Sequence, residues 1–282
     1  MRIACNPGFG ECLDSGWEDG MDGWRERFSE YFCVQLADTP ELIREAMALR
    51  YQIYCKECEY ENPRVFRDGL EKDKFDQGSV QALLRHRATR EVAGTVRLIR
   101  PNQEVENGLL PVELNCQIDS DFRKKLSHVH RERIAEISRF AVSKQFRRRL
   151  YESHNVHGVA EMTGVLSFRE ERRSLMPLMT LGLLRAIFIM SYEQNVTYWV
   201  AVMEPQLLRL LKGLGVVLTQ VGPVANYHGD RIPCAGAVSD VLAGLRKSRP
   251  DIWGFVNKGD IKFPEPSRQC GMDINSWLVA GA

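Results

Sequence analysis

The stretch Arg133-Ile-Ala-Glu-Ile-Ser-Arg-Phe-Ala-Val142 decides the fold. Ile134, Ile137, Phe140 and Val142 are β-formers, so it reads as a strand. It nevertheless carries a carboxylate, Glu136, and a guanidinium, Arg139, inside an apolar run. Charged side chains stay out of protein interiors unless they are paired or have chemistry to do. In a regular strand residues three apart point to opposite faces, so these two share a face only if a β-bulge intervenes. Downstream, a helix over 174–195 that is apolar on most faces leads into a second strand over 198–203. Strand, helix and strand form a βαβ unit, which makes the two strands parallel. If they splay, a cleft opens with Glu136 at its base.

Composition sets the outer limits. The 282 residues can build one large domain or two small ones with a sizeable core. Hydrophobic residues are 44% and charged residues 27%, as in an ordinary soluble globular protein. A net charge of +1 gives no global field toward nucleic acid or membrane. The eight cysteines lack the spacing of a disulfide framework. With no signal peptide visible, the expectation is reduced thiols in a cytoplasmic protein. The most apolar stretch, 175–190, contains Pro177 and Arg185 and is too short to span a bilayer, so a buried helix and no transmembrane segment are expected.

Around the opening strand the pattern predicts a mixed α/β fold: a central twisted sheet with helices on both faces. Residues 1–30 read as a tail with a short helix near Trp24, 31–260 as the domain, and 261–282 as a second tail. Strands are expected at 31–36, 80–87, 92–99, 133–143, 198–203 and 216–221. Thr39-Pro40 starts a helix that runs to about Glu57. Its stripe is Ile43, Met47 and Tyr54 with Arg50 among them, an Arg that must snorkel out or find a carboxylate. A long loop over 58–79 ends in Glu71-Lys-Asp-Lys-Phe-Asp76. Such loops in compact domains are functional or disordered. A helix after Glu204-Pro205 stops at Gly213 and Gly215. Residues 223–236 read as a loop or hairpin, and 239–247 as the last helix.

Four short patterns occur in a fixed order: Arg50-x-x-x-Tyr54, Asp73-x-x-Asp76, Gly94-x-x-Arg97-Leu98, and Glu136-x-Ser138-Arg139-Phe140-Ala141-Val142. In that order they resemble the signature of the autoinducer (acyl-homoserine-lactone) synthases. The chain is also similar to the long-chain N-acyl amino acid synthases. It most resembles the PEP-CTERM/exosortase system-associated acyltransferases, which share Leu49-Arg-Tyr-Gln-Ile-Tyr-Cys55, Asn226-Tyr-His-Gly229 and Arg231-x-Pro-Cys234. The resemblance spans roughly residues 31–260. It implies a GNAT-type acyltransferase fold with a bulged central strand and a splayed parallel pair. It also implies an acyl donor carried on the phosphopantetheine of acyl carrier protein, an amine acceptor, and no bound cofactor. The family's charged set falls on Arg50, Asp73, Asp76, Arg97, Glu136 and Arg139, and its aromatic positions on Tyr54 and Tyr60.

Amide formation from a thioester requires that the acceptor ammonium lose a proton, that the oxyanion be stabilised, and that two substrates be held together. A carboxylate in an apolar cleft has its pKa raised toward the useful range. Glu136 is therefore the candidate general base, and its bland alternative is a partner for Arg50 or Arg139 in an ion network. Asp73 and Asp76 either hold the acceptor's ammonium or anchor Arg50 and Arg97, the second being the commoner use. Backbone N–H groups freed at a bulge would serve the oxyanion. No nucleophile is needed, and Cys55-x-x-Cys58 and His154-x-x-His157 lack the further ligands of a metal site, so none is expected.

The segment after the opening strand, 144–151, has no glycine, and backbone cannot approach a diphosphate closely without one. That points from coenzyme A toward a carrier protein. Carrier proteins are acidic, and Arg147, Arg148 and Arg149 would suit one, although a solvated basic surface reads the same way. Met176, Met179, Leu183, Trp199 and Val200 could line an acyl tunnel or simply pack a core.

The reading is an enzyme that moves a long-chain acyl group from acyl carrier protein to the α-amine of an amino acid. Its rivals are an acyl-homoserine-lactone synthase using S-adenosylmethionine and, from another class, a non-catalytic acyl-carrier-protein or lipid-binding module. The last gains if Glu136 is locked in ion pairs away from any cleft.

Overall fold

Eight strands make one mixed sheet: β1 Phe32–Leu36, β2 Val80–His86, β3 Val92–Ile99, β4 Ile134–Val142, β5 Tyr198–Met203, β6 Thr219–Gln220, β7 Ala225–Asn226 and β8 Asp230–Ala237. The computed structural model describes residues 23–146, 164–226 and 229–257, with side chains in the longest helix described from residue 176 onward. The strand order is β1-β2-β3-β4-β5-β8-β6, with β7 paired to β8. Every neighbouring pair is antiparallel except β4 and β5, which run parallel as the βαβ reading requires.

That parallel pair is short. Pairing runs from Ile134 opposite Tyr198 to Ile137 opposite Ala201 and then stops. Beyond it β4 stays with β3 as far as Val142, and β5 stays with β8 as far as Met203. The sheet thus forks into two halves, and Glu136 sits one residue before the apex, opposite Val200.

Between α1 (Gly23–Tyr31) and α2 (Pro40–Arg50) lies β1. Thr39 caps α2 by accepting from the Leu42 N–H, and Pro40 occupies the first turn. The helix continues to Glu57 as expected, but its last seven residues, Tyr51–Glu57, wind as a π-helix, a form found mostly at functional sites. Residues 101–132 carry α3 (Pro111–Asn115) and α4 (Ser120–Leu126). The crossover helix α5 runs over Gly164–Glu193, α6 over Pro205–Gly213, α7 over Val238–Ser248 and α8 over Pro250–Val256.

Sheet alternation divides two cores. One face presents Val96, Leu98, Ala135 and Ile137 to α5, whose Leu178, Met179, Leu183, Leu184 and Ile187 complete the larger core. Helix α5 is apolar around its circumference because α1 and α8 cover its far side: Phe28 and Phe255 stack edge to face at 5.0 Å. Gly182 permits this closeness, since a Cβ there would come within 2.4 Å of the Phe28 ring. On the other face the 101–132 segment folds across β3, β4 and β5. Leu110, Val112, Phe122 and Leu126 bury Ile99, Ile134 and Val200 in a smaller core. Helix α2 covers the rest of that face.

Several expectations change. The short helix expected near Trp24 is α1, but it packs into the domain instead of standing in a tail: its Phe28 is fully buried and its Trp24 donates to Asp251 at 2.9 Å. The segment read as a loop or hairpin at 223–236 does pair β7 with β8 as a hairpin, and its second arm runs on as a full strand beside β5. The strand expected at 216–221 is only two residues long, and α8 was not foreseen. Helix α5 begins ten residues earlier than expected. Its Met176–Glu193 stretch has a mean hydropathy of 1.2, so by length and composition it could cross a membrane; 78% of it is covered by the protein itself. Cys55, Cys58, Cys116 and Cys234 are free thiols.

Candidate active site

The bulge through which alone Glu136 and Arg139 could share a face is present. Arg97 pairs with Ser138 and Thr95 with Ala141, so Arg139 and Phe140 together oppose Val96. Arg139 takes φ +52°, the left-handed region a long side chain avoids unless its surroundings hold it there. The extra residue restores parity: Glu136, Ser138 and Arg139 all reach the face covered by α2. Gly94 allows the close approach of the bulged strand, because a Cβ there would stand 2.9 Å from the Ala141 carbonyl oxygen.

On that face three guanidinium groups and three carboxylates alternate in a closed circuit. Arg50 bonds Glu71 through Nε and Asp76 through Nη1 at 2.5 Å and Nη2 at 3.0 Å. Glu71 accepts from Arg139 at 2.8 Å and 3.2 Å. Arg139 reaches Asp73 at 3.3 Å, Asp73 takes Arg97 bidentately at 2.8 and 2.9 Å, and Arg97 returns to Asp76 at 2.8 Å. Each carboxylate therefore bridges two arginines, the satisfied arrangement that buried charges need. Gln81 accepts from Arg50 and Ser138 from Arg97.

The loop supplies its carboxylates rigidly. Asp73 accepts from the Phe75 N–H and Asp76 from the Asp73 N–H, a reciprocal capping box on the turn Lys74–Asp76. Arg50 does not snorkel; it is wholly buried. The circuit opens to solvent along one edge, where Asp73 is 28% and Arg139 18% exposed. Tyr54, placed by the π-helix, lies 5.0 Å from the Arg139 guanidinium.

Glu71 is the member the sequence reading missed. It is 1% exposed, and burial alone would push its carboxyl up, but the hydrogen bond and charge of Arg139 and the charge of Arg50 hold it down at about 2. Asp76 is likewise held at about 2, burial being outweighed by the Arg50 hydrogen bond and the Arg97 charge. Arg139 stays charged: burial opposes it, and Glu71 more than compensates.

Glu136 stands outside this circuit. It is 4% exposed and makes no ion pair among the described residues. Its Oε2 accepts one hydrogen bond, 2.7 Å from the Val112 N–H in the first turn of α3. Burial drives its pKa up to about 8; the Val112 N–H and the Arg97 charge pull the other way, and Glu113 adds to the rise. The alternative of Glu136 as a partner for Arg50 or Arg139 is thereby corrected, because Glu71, Asp73 and Asp76 already satisfy those arginines.

Across the fork, β5 and β8 bring a second charged group to the same face. Arg231 pairs with Glu204 at 3.1 Å and lies over the Tyr60 ring at 5.5 Å, while Tyr60 and Tyr54 are 6.5 Å apart. The row Arg139, Tyr54, Tyr60, Arg231 therefore spans the two halves of the sheet on the side where they separate.

Residues 49–156 match the family described as an acetyltransferase (GNAT) domain. That match shows a GNAT domain over those residues, well under half of the chain. No curated protein matches it in sequence. Among solved structures, the chain resembles the AHL synthase LasI at 15% identity, covering 77% of this chain and 96% of that one, with a TM-score of 0.49. FeeM, an N-acyl amino acid synthase from uncultured soil microbes, matches at 16% identity over 77% and 98%, TM-score 0.46. BjaI, a CoA-dependent acyl-homoserine lactone synthase, matches at 18% over 77% and 92%, TM-score 0.45. At these values the likenesses bear on neither substrate nor donor.

The structure does not gather the expected tunnel residues into one wall. Met179, Leu183 and Trp199 are packed in the larger core, with Met176 against it, and Trp199 donates to Ser191 at 2.8 Å. Val200 points to the opposite face, into the smaller core. Neighbouring residues of a strand cannot line one side of a sheet together, so the five serve two cores. Arg147, Arg148 and Arg149, and His154 with His157, lie outside the described residues.

Proposed function

We propose that the protein transfers a long-chain acyl group from acyl carrier protein to the α-amine of an amino acid. The observation that carries this reading is Glu136: a buried carboxylate without an ion-pair partner, beside the fork of the only parallel strand pair in the sheet, with a pKa of about 8. A general base is most effective when its pKa lies near the working pH.

In this reading Glu136 takes a proton from the acceptor's ammonium. The freed amine attacks the thioester carbonyl carbon, forming the C–N bond. The oxyanion is met by backbone N–H groups of β4 beyond Ile137, where β5 no longer offers partners. Collapse breaks the C–S bond and releases the pantetheine thiolate. Nitrogen loses two protons in all: one, through Glu136, to the thiolate and one to solvent. Arg139 and Asp73, on the exposed edge of the circuit, orient the acceptor's carboxylate and ammonium.

The test is to incubate the protein with palmitoyl-loaded acyl carrier protein and the twenty amino acids and to search for N-acyl products by mass. An N-acyl amino acid is the expected product. Folded protein and intact donor yielding none would overturn the reading in favour of a binding module.

A further inference from the structure

The segment beyond β4 holds a carboxylate that the chemistry above does not use. Glu57, the last residue of the π-helix, reaches across to the end of β4. It accepts from the Ser143 hydroxyl at 2.9 Å, the Lys144 N–H at 2.7 Å and the Gln145 N–H at 3.0 Å. The next N–H, of Phe146, donates to Ser143 Oγ at 3.0 Å. The first four backbone donors after the strand are thus all taken: that of Ser143 by the Ala93 carbonyl, those of Lys144 and Gln145 by Glu57, and that of Phe146 by Ser143. Burial would raise this carboxyl, but the donors of Gln145, Lys144 and Ser143 outweigh it and keep it ionised.

Location gives the contact its meaning. Ligands of open sheets containing parallel strands bind beyond the carboxyl ends of those strands, and phosphates settle on the backbone N–H groups that follow. Here those groups lie past the fork on the β4 side, and the chain's own anion occupies them. A diphosphate arriving there would have to displace Glu57 or lie against its negative charge, and like charges brought together repel.

We infer that Glu57 selects the acyl donor: it excludes one that carries a diphosphate beside the β4 terminus and admits a pantetheine thioester delivered by a carrier protein. The inference rests on the acyl transfer proposed above and names the residue that sets its donor.

Two measurements test it on the full-length protein. First, coenzyme A is titrated calorimetrically into wild type, Glu57→Gln and Glu57→Ala, with thermal unfolding as the folding control. Both variants should bind coenzyme A about 10- to 100-fold more tightly than wild type. Second, kcat/KM is measured for the same acyl group on acyl carrier protein and on coenzyme A. The preference for carrier protein should fall by a similar factor in the variants through a gain on the coenzyme A side. Wild type binding coenzyme A as tightly as either folded variant, or an unchanged donor preference, would overturn the role of Glu57. If neither donor gives product the proposed reaction fails, and the calorimetric comparison alone decides Glu57.

Discussion

Glu71 and Glu136 are hidden to nearly the same degree, 1% and 4% exposed, and reach the same face of one sheet. Their carboxyl groups are driven apart, to about 2 and about 8, from an ordinary value of 4.5. Burial raises both. The difference is company: Glu71 bridges Arg50 and Arg139, whereas Glu136 has one backbone N–H and an apolar surround. One carboxylate is structural because its charge is fully met; the other is available for proton transfer because its charge is not. The circuit also keeps Glu136 apart, since any of the three arginines left without its partners would seek the nearest carboxylate.

This contrast can be broken from either side. The largest effect is expected at Glu136. Replacing it by Gln should lower the acyl-transfer rate about 10²- to 10⁴-fold, the usual worth of a general base. The same variant should unfold no more easily than wild type at pH 8, since it removes a charge that burial disfavours. Glu71→Gln should do the reverse: leaving Arg50 and Arg139 short of a charge should cost about 3–5 kcal/mol in denaturant unfolding, the usual result of breaking a buried pair. Arg139→Lys keeps the charge but cannot bridge Glu71 and Asp73 with a planar fork; about 1.5–3 kcal/mol is expected. Ser138→Ala removes only the Arg97 contact and should cost about 0.5–1.5 kcal/mol.

Stability against pH sharpens the same contrast. Glu71 has a depressed folded pKa, so its contribution is present above pH 4.5 and is lost as pH falls toward 2. Glu136 has a raised one: the folded state holds its proton more tightly, so stability falls as pH climbs from 4.5 to about 8. Chemical unfolding of Glu136→Gln across pH 5 to 8.5 should show a gain over wild type that grows with pH. A constant difference would place the raised pKa in doubt.

Much of this was legible in the chain. The charges at 136 and 139, three residues apart in one strand, could share a face only through a bulge, and the apolar 174–195 pattern between two strands called for a parallel pair; the bulge and the fork themselves came from the family resemblance. Glu71 was not legible because it lies in Glu71-Lys-Asp-Lys-Phe-Asp76, where all but Phe75 are charged and nothing marks which one turns inward. A balance of charges would not have exposed it either: Arg50, Arg97 and Arg139 already stand against Asp73, Asp76 and Glu136, and only the structure holds Glu136 apart, on the Val112 N–H. Strand β8 was concealed by Pro233 in its middle, a residue that argues against a central strand. The Pro233 carbonyl accepts from the Val221 N–H, so its missing N–H lies on that same side. There β6 pairs only with Cys234 and Ala235, and β7 only with Asp230 and Arg231. The tunnel expectation failed for a different reason: composition shows that Met179, Leu183, Trp199 and Val200 are apolar, but not that sheet alternation sends Val200 to the far face.

The most direct measurement is a carbon-detected NMR titration of the glutamate side-chain carboxyl groups in the folded protein, with Glu136→Gln and Glu71→Gln used to assign the two signals. The account predicts a midpoint near 8 for Glu136, while Glu71 remains ionised down to the acid limit of folding. A Glu136 midpoint in the ordinary carboxylate range, alongside that of Glu71, would contradict it.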